Sequence, residues 1–152
     1  LGVCGRDGCL AEQVRVPLIS IRKVPDSIDN DHAVLCVTLS EALRLAGLVA
    51  VETKPYVTVV GDDAVALLCA QVLFARNAAV RVLGQAPERY ARCEKWGIKH
   101  RHVSDAGRLA DQDVVLVVDP TDDALRVAAG LVRPGGRVVI GGGVTGATGA
   151  RS

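Results

Sequence analysis

The sequence contains no methionine and very few aromatic side chains: one tryptophan, one phenylalanine and two tyrosines among 152 residues. A core cannot then be built around large rings. It must come from Val, Leu, Ile and Ala, in a chain that is 49% hydrophobic and 23% charged. Such β-branched, aliphatic material suits parallel strands that are covered on both faces by helices. The missing methionine marks the chain as a fragment or a processed product, and a fragment is expected, because Leu1 sits in sequence that reads as folded. No apolar run approaches the ~20 residues that span a bilayer, and no leader pattern opens the chain, which argues against a membrane protein. An excess of one charge is missing too. The net charge is +1, without a basic patch to suggest nucleic acid. Disulfide patterning is absent: the five cysteines are odd in number and form no CxxC pair. Cys69 and Cys93 fall on apolar helix faces as free thiols, which points to a reducing cytoplasm. The length allows one domain with a sizeable core.

Along the chain, residues 1–27 are rich in Gly and Pro and carry short alternations such as Glu12–Val16, which predict strands and turns. Asp29, Asn30 and Asp31 offer N-cap oxygens to a helix whose apolar positions include Val34, Leu35, Leu39, Ala42, Leu43 and Ala46, ending at Gly47. From Tyr56 short apolar runs alternate with helices. Tyr56–Val60 reads as a first strand closed by Gly61, and Ala64–Arg76 as a helix with Val65, Leu68, Cys69, Val72 and Leu73 on one face. Val80–Leu83 reads as a second strand, Pro87–Trp96 as a helix with Pro at its start and Gly97 at its end, and Ile98–Val103 as a third strand. Asp113–Val118 is a fourth strand, Asp122–Leu131 a helix, and Pro134-Gly135-Gly136 turns the chain into a fifth strand, Arg137–Ile140. Strands and helices alternating with short links predict an α/β fold, a Rossmann-type doubly wound parallel sheet. In such a sheet ligands bind beyond the carboxyl ends of the strands. The tail Gly141–Ser152 is too glycine-rich to fold alone, so the sheet is expected to be cut after its fifth strand, leaving an open edge.

A dinucleotide site asks for G-x-G-x-x-G between the first strand and its helix. The window here is Gly61-Asp62-Asp63-Ala64-Val65-Ala66. Only the first glycine remains. Ala66 adds one methyl at the packing position, whereas Asp63 places a carboxylate where two phosphates should lie. Two unit charges 4 Å apart repel by roughly 4 kcal/mol at an effective dielectric of ~20, or two to three decades of affinity. The alternative is a plain strand-to-helix turn with Asp62 or Asp63 as N-cap. After the second strand, Gly84 stands where an acidic residue would bind the ribose of NAD. A glycine leaves room for the 2′-phosphate of NADP, with Gln85 neutral and Arg89 one helical turn away, so NADP is favoured over NAD. The alternative for Arg89 is a solvated helix residue.

These residues together resemble the medium-chain dehydrogenase/reductase superfamily, in its zinc-type alcohol dehydrogenase-like branch. Leu1-Gly2-Val3, Gly5–Glu12, Val16-Pro17 and Val24-Pro25-Asp26 resemble the end of that family's β-rich GroES-like catalytic domain. Asp31–Leu45, Tyr56–Gly61, Pro87-Glu88-Arg89, Cys93–Gly97, Asp113–Asp119 and Leu131–Gly141 resemble successive parts of its cofactor domain. The resemblance implies a remnant of the catalytic domain over residues 1–28, and over 29–152 a Rossmann NAD(P)-binding domain truncated at its C-terminal end. It also implies hydride transfer between an alcohol or polyol and a nicotinamide cofactor, often assisted by zinc. The family's first zinc ligands and structural zinc loop would lie upstream of Leu1, and its Glu-Pro pair is replaced by Val37-Thr38. Cys36 is the one metal candidate, with a buried structural thiol as the preferred alternative, so zinc is not expected to bind here. Asp119, Thr121 and Gly141 fall where the family's later strands approach the cofactor. Asp119-Pro120-Thr121-Asp122 stands in place of a glycine near the nicotinamide, which adds acidity to the rim. A homodimer through the cofactor domain is the expected assembly.

Two other readings remain. The lost glycines and added carboxylates suit a degenerate homologue kept as a structural or dimerising domain. Leu131–Ile140 also suits a methyltransferase dependent on S-adenosylmethionine, but the segment through Pro25 and the missing acid after the second strand do not. His32, His100 and His102 form no ligand pattern with the cysteines and read as surface residues.

Overall fold

A computed structural model describes residues 8–107 and 109–142. The family-like opening at residues 1–7 and the glycine-rich tail from residue 143 therefore lie outside the described residues. The chain divides into two compact units, with the break after Val34.

In the first unit the described residues form no β-strand. The strands expected around Glu12–Val16 are replaced by extended chain and one 3-10 turn, Leu18–Ser20, which follows Pro17. Alternation is a strand signal only where a partner ladder exists, and residues 8–34 find none among the described residues. Leu10, Leu18 and Ile19 are exposed. A short helix, α1 (Asn30–Ala33), begins where the sequence predicts a cap: Asp29 accepts the N–H of His32 at 2.8 Å. The predicted long helix is thus two, and the next, α2 (Cys36–Ala46), begins the second unit. The β-branched Val34, Val37 and Thr38 cluster around the interruption, and such residues lose side-chain freedom in a helix.

The second unit is a five-stranded sheet in the order β3-β2-β1-β4-β5, with every neighbouring pair parallel. The strands are β1 (Tyr56–Val60), β2 (Ala79–Gly84), β3 (Lys99–His102), β4 (Gln112–Val117) and β5 (Val132–Ile140). The helices are α3 (Ala64–Ala75) after β1, α4 (Tyr90–Lys95) after β2 and α5 (Asp122–Leu131) after β4. The Pro87–Arg89 stretch of the predicted helix Pro87–Trp96 is a 3-10 turn leading into α4. Pro134-Gly135-Gly136 turns as predicted, but as a bulge within β5: Val132 pairs with Gln112, and pairing resumes at Arg137 opposite Val114.

β1 explains the rest. Val57 to Val60 are buried, and β1 pairs with β2 on one edge and β4 on the other. Alternation along the strand sends its side chains to both faces. Val57 and Val59 join Val80, Val82, Val114 and Leu116 against Leu67, Ala70 and Leu73 of α3 and Cys93 of α4. Val60 joins Leu83, Val115 and Val117 against Ala128 and Leu131 of α5. Helices on both faces make the sheet doubly wound, as the Val-rich runs predict.

α3 is apolar on nearly every side, which is tolerable only if something covers its outer face. α2 does so. Its Ala42, Leu45 and Ala46, with Val49, share one core with Ala66, Cys69 and Ala70. The Cys69 thiol lies 3.6 Å from the Ala42 carbonyl, and the Arg76 guanidinium donates to the Ala46 carbonyl at 3.1 Å. Of the predicted inward stripe of α2, Ala42 and Ala46 are buried. Leu43 is 51% exposed and Leu35, Leu39 and Val34 also reach the surface, while Leu45, outside the predicted stripe, is fully buried beside the two alanines. Burial pushes the Cys69 thiol up to about 12 and raises Cys93 as well, so both are inert core thiols. No helix among the described residues is long and apolar enough to cross a membrane.

At the amino ends of the strands one carboxylate ties three of them together. Asp113 accepts the N–H of Tyr56 at 2.8 Å and the Arg133 guanidinium at 2.6 Å. The Tyr56 N–H first, and Arg133 second, hold its carboxyl below the ordinary range. A carboxyl depressed on folding adds stability above its unfolded pKa of about 3.9, and that stability is lost as the pH falls through the folded value. Asp113→Asn should therefore lower stability at neutral pH and flatten the loss below about pH 4, as followed by urea melts across pH. Leu116→Ala, in the middle of the sheet, should cost about 2–5 kcal/mol in the same measurement. Val37→Ala on the exposed face of α2 should stay within about 0.5 kcal/mol.

Candidate functional site

The sheet order reverses direction at β1, between β2 and β4, and a crevice opens there beyond the carboxyl ends of the strands. Gly61 ends β1 with φ +125°, a conformation that L side chains rarely adopt, and donates its N–H to the Leu83 carbonyl at 2.9 Å. An added Cβ on Gly61 would lie 3.4 Å from the Ala66 methyl. That is ordinary van der Waals contact, so the positive φ and not crowding calls for glycine at 61, and the Ala66 methyl packs in the core.

The two aspartates of the turn are each bound to protein donors. Asp63 is the N-cap of α3, with its Oδ1 accepting the Ala66 N–H at 2.7 Å. Its carboxylate therefore sits on the helix terminus that a pyrophosphate would use. Asp62 reaches the other way. Its Oδ2 accepts the N–H groups of Gln85 and Ala86, both at 2.7 Å, and its Oδ1 accepts Arg89 at 3.1 Å. Arg89, expected as a cation available to a 2′-phosphate, is engaged with Asp62. Of the two caps the sequence allows, Asp63 is the one that forms.

A cavity of about 710 Å³ lies over this rim. It is lined by Gly61, Asp62, Asp63, Gly84, Gln85, Asp119 and Thr121, which gathers most of the expected site in one place. Ala64, Val65, Ala66, Arg89 and Gly141 do not line it. Ala64 and Val65 start α3 and Ala66 is core. Gly141 is buried against β4, donating its N–H to the Val117 carbonyl at 2.6 Å, and any Cβ there would collide with the Val118 carbonyl. Thr121 caps α5 by accepting the Ala124 N–H at 3.2 Å. The cavity also takes in Val103 and Ser104 after β3, and Asp123, Ala124 and Val127 of α5. The strand-end rule applied to β3 would have found the first pair; the α5 residues follow from the helix crossing the crevice, which no local pattern signals.

The lining carries four carboxylates, Asp62, Asp63, Asp119 and Asp123, and no lysine or arginine among the described residues. Cys36 opens α2 and is exposed, so the buried-thiol alternative does not hold. Among the described residues no group of three His, Cys, Asp or Glu is placed to hold a metal ion. His32 and His102 are exposed, but His100 is not the surface residue predicted: it stacks on Tyr90 with centroids 4.6 Å apart, and the Tyr90 hydroxyl donates to the Gly84 carbonyl at 3.1 Å.

No family model matches the chain. Solved structures do. It is similar to the alcohol dehydrogenase TADH of Thermus sp. ATN1, with 24% identity and a TM-score of 0.65 over 78% of this chain and 38% of that one. A zinc-binding dehydrogenase of Sinorhizobium meliloti bound to NADP is similar over 77% of this chain and 38% of its own, with 21% identity and a TM-score of 0.69. A short chain alcohol dehydrogenase of Escherichia coli complexed with NADH is similar over 85% and 42%, with 20% identity and a TM-score of 0.71. The chain thus spans about two fifths of the length of these structures. At these identities the likeness establishes the Rossmann-type fold. Because Asp63 caps α3, Asp63→Ala should cost about 0.5–2 kcal/mol in a thermal or urea melt, whereas Asp63→Gly should cost only a few tenths, glycine being a fair cap.

Proposed function

We propose that this chain is the cofactor-binding part of an alcohol dehydrogenase-like oxidoreductase of the medium-chain dehydrogenase/reductase superfamily, which moves hydride between an alcohol or polyol and NAD or NADP. The observation that carries the reading is the Gly61 corner at the sheet's reversal point, opening on a cavity of adequate size. The dinucleotides in the similar dehydrogenase structures support it. The adenosine half would lie over Gly61, Gly84 and Gln85, and the nicotinamide half toward Asp119 and Thr121. When bound, the nicotinamide supplies or accepts the hydride. The chain's part is to hold the two halves and to close the crevice with α5. Zinc does not fit the residues present: Cys36 stands without companion ligands among the described residues, and no step is assigned to a metal. The segment before residue 29 is assigned to the GroES-like domain on its resemblance alone. The free thiols at Cys69 and Cys93 support a cytoplasmic setting. A homodimer through this domain would use the outer edge of β5, which pairs with no strand among the described residues.

A specific observation favours a second reading. The Asp63 carboxylate already occupies the Ala66 N–H, so the pyrophosphate must displace it or bind beside it against charge. A homologue that has given up its cofactor would look the same. Fluorescence titration of NADH and NADPH separates the two. Weak binding by the chain, tightened about ten- to a hundredfold by Asp63→Gly, supports the oxidoreductase. Absence of binding by both proteins at millimolar cofactor overturns it in favour of the non-catalytic homologue.

A further inference from the structure

Gly84 leaves the end of β2 without a side chain, and the turn after β1 fills the vacant space. An ideal Cβ on Gly84 would lie 2.5 Å from Asp62 Oδ2 and 2.6 Å from Asp62 Cβ. Asp62 therefore stands where a side chain at position 84 would begin, having entered from the turn after the neighbouring parallel strand. The location has a chemical meaning. In a dinucleotide crevice the end of the second strand is where an acidic residue accepts a hydrogen bond from the adenosine ribose 2′-hydroxyl. The sequence lacks that acid at position 84, but the fold brings one to the same place from position 62.

The bonding of the carboxylate decides what it can recognise. Oδ2 accepts two backbone N–H groups at 2.7 Å, which uses its acceptor capacity. Oδ1 accepts only the Arg89 guanidinium at 3.1 Å, so it retains a lone pair for a hydroxyl donor. The same Arg89 nitrogen also donates to the Asp62 carbonyl at 3.1 Å, which holds the guanidinium at the turn. The Asp62 side chain is 13% exposed, at the wall of the cavity. Two N–H donors that would welcome a phosphate here are taken by Asp62, one nitrogen of the Arg89 guanidinium is drawn to it, and the carboxylate itself would repel the phosphate.

We infer that Asp62 selects the ribose of the bound nucleotide: its Oδ1 accepts a free 2′-hydroxyl, and its charge and its hold on Gln85, Ala86 and Arg89 exclude a 2′-phosphate. This rests on the adenine-nucleotide reading above, and it reverses the preference for NADP that Gly84 and Arg89 suggest in the sequence.

The test compares 5′-AMP with adenosine 2′,5′-bisphosphate, which differ only in the 2′-phosphate, by calorimetry on the full chain and on Asp62→Asn and Asp62→Ser. Asn keeps an acceptor for the backbone N–H groups while removing the charge, and thermal melts of both variants report on folding. The wild-type chain should favour 5′-AMP by about tenfold or more, and the variants should erase or invert that ratio. A wild-type ratio near one, or a ratio unchanged in the folded variants, overturns the inference and leaves the nucleotide reading standing. Failure of all three proteins to bind either nucleotide at millimolar concentration overturns that reading and the inference with it.

Discussion

The structure depends on burying four consecutive residues of one strand, Val57 to Val60. β1 has a hydrogen-bonded neighbour on each edge and a helix layer over each face, so its backbone groups and its valines are satisfied only when all the surrounding elements are in place. The register of β2 and β4 against Val57–Val60 sets where both strands end, and those ends set the rim on which Gly61, Gly84 and Asp119 meet. The crevice is thus a by-product of how the core closes. It would exist whether or not anything bound in it.

What distinguishes this crevice is that three of its backbone donors are held by the chain's own carboxylates. Asp63 satisfies the start of α3, and Asp62 satisfies the start of the segment after β2. In a phosphate turn made of glycines those N–H groups wait for a ligand. Here two carboxylates hold them, at bond lengths of 2.7 Å. The two substitutions differ in consequence. Asp63 competes with a pyrophosphate for the same donor, while Asp62 takes up a position in which an acid is useful for a ribose. Degeneration and altered selectivity are therefore separable, residue by residue, within one six-residue turn.

Much of the sheet could be read from the sequence because short Val-rich runs bounded by Gly or Asp have few alternatives once helices of regular period separate them. α5 was legible to the residue, with Thr121 just before it and an apolar stripe along it. The readings that failed involve choices made by distant neighbours. The apolar stripe read on α2 combines Ala42 and Ala46, which do face α3, with Leu35, Leu39 and Leu43, which do not, while Leu45 takes the inward place. The alternation in residues 12–16 signals a strand only if another strand is present. His100 reads as a surface residue until β3 is laid beside α4 and Tyr90 covers its ring. Asp62 reads in the sequence as a member of the phosphate turn or a cap candidate, but its bonds run to residues 23 and 24 positions later. Proximity of that kind is created by the parallel crossover and has no local signature.

The capping of α3 by Asp63 has a consequence for how the chain lives in a cell. Where a helix start is completed only by a ligand, newly made protein is vulnerable until it is loaded, and its abundance tracks ligand supply. This domain supplies the cap of α3 from its own sequence, so that helix start forms without a nucleotide. A bound nucleotide would add stability by mass action on top of that, and its departure would leave the cap in place.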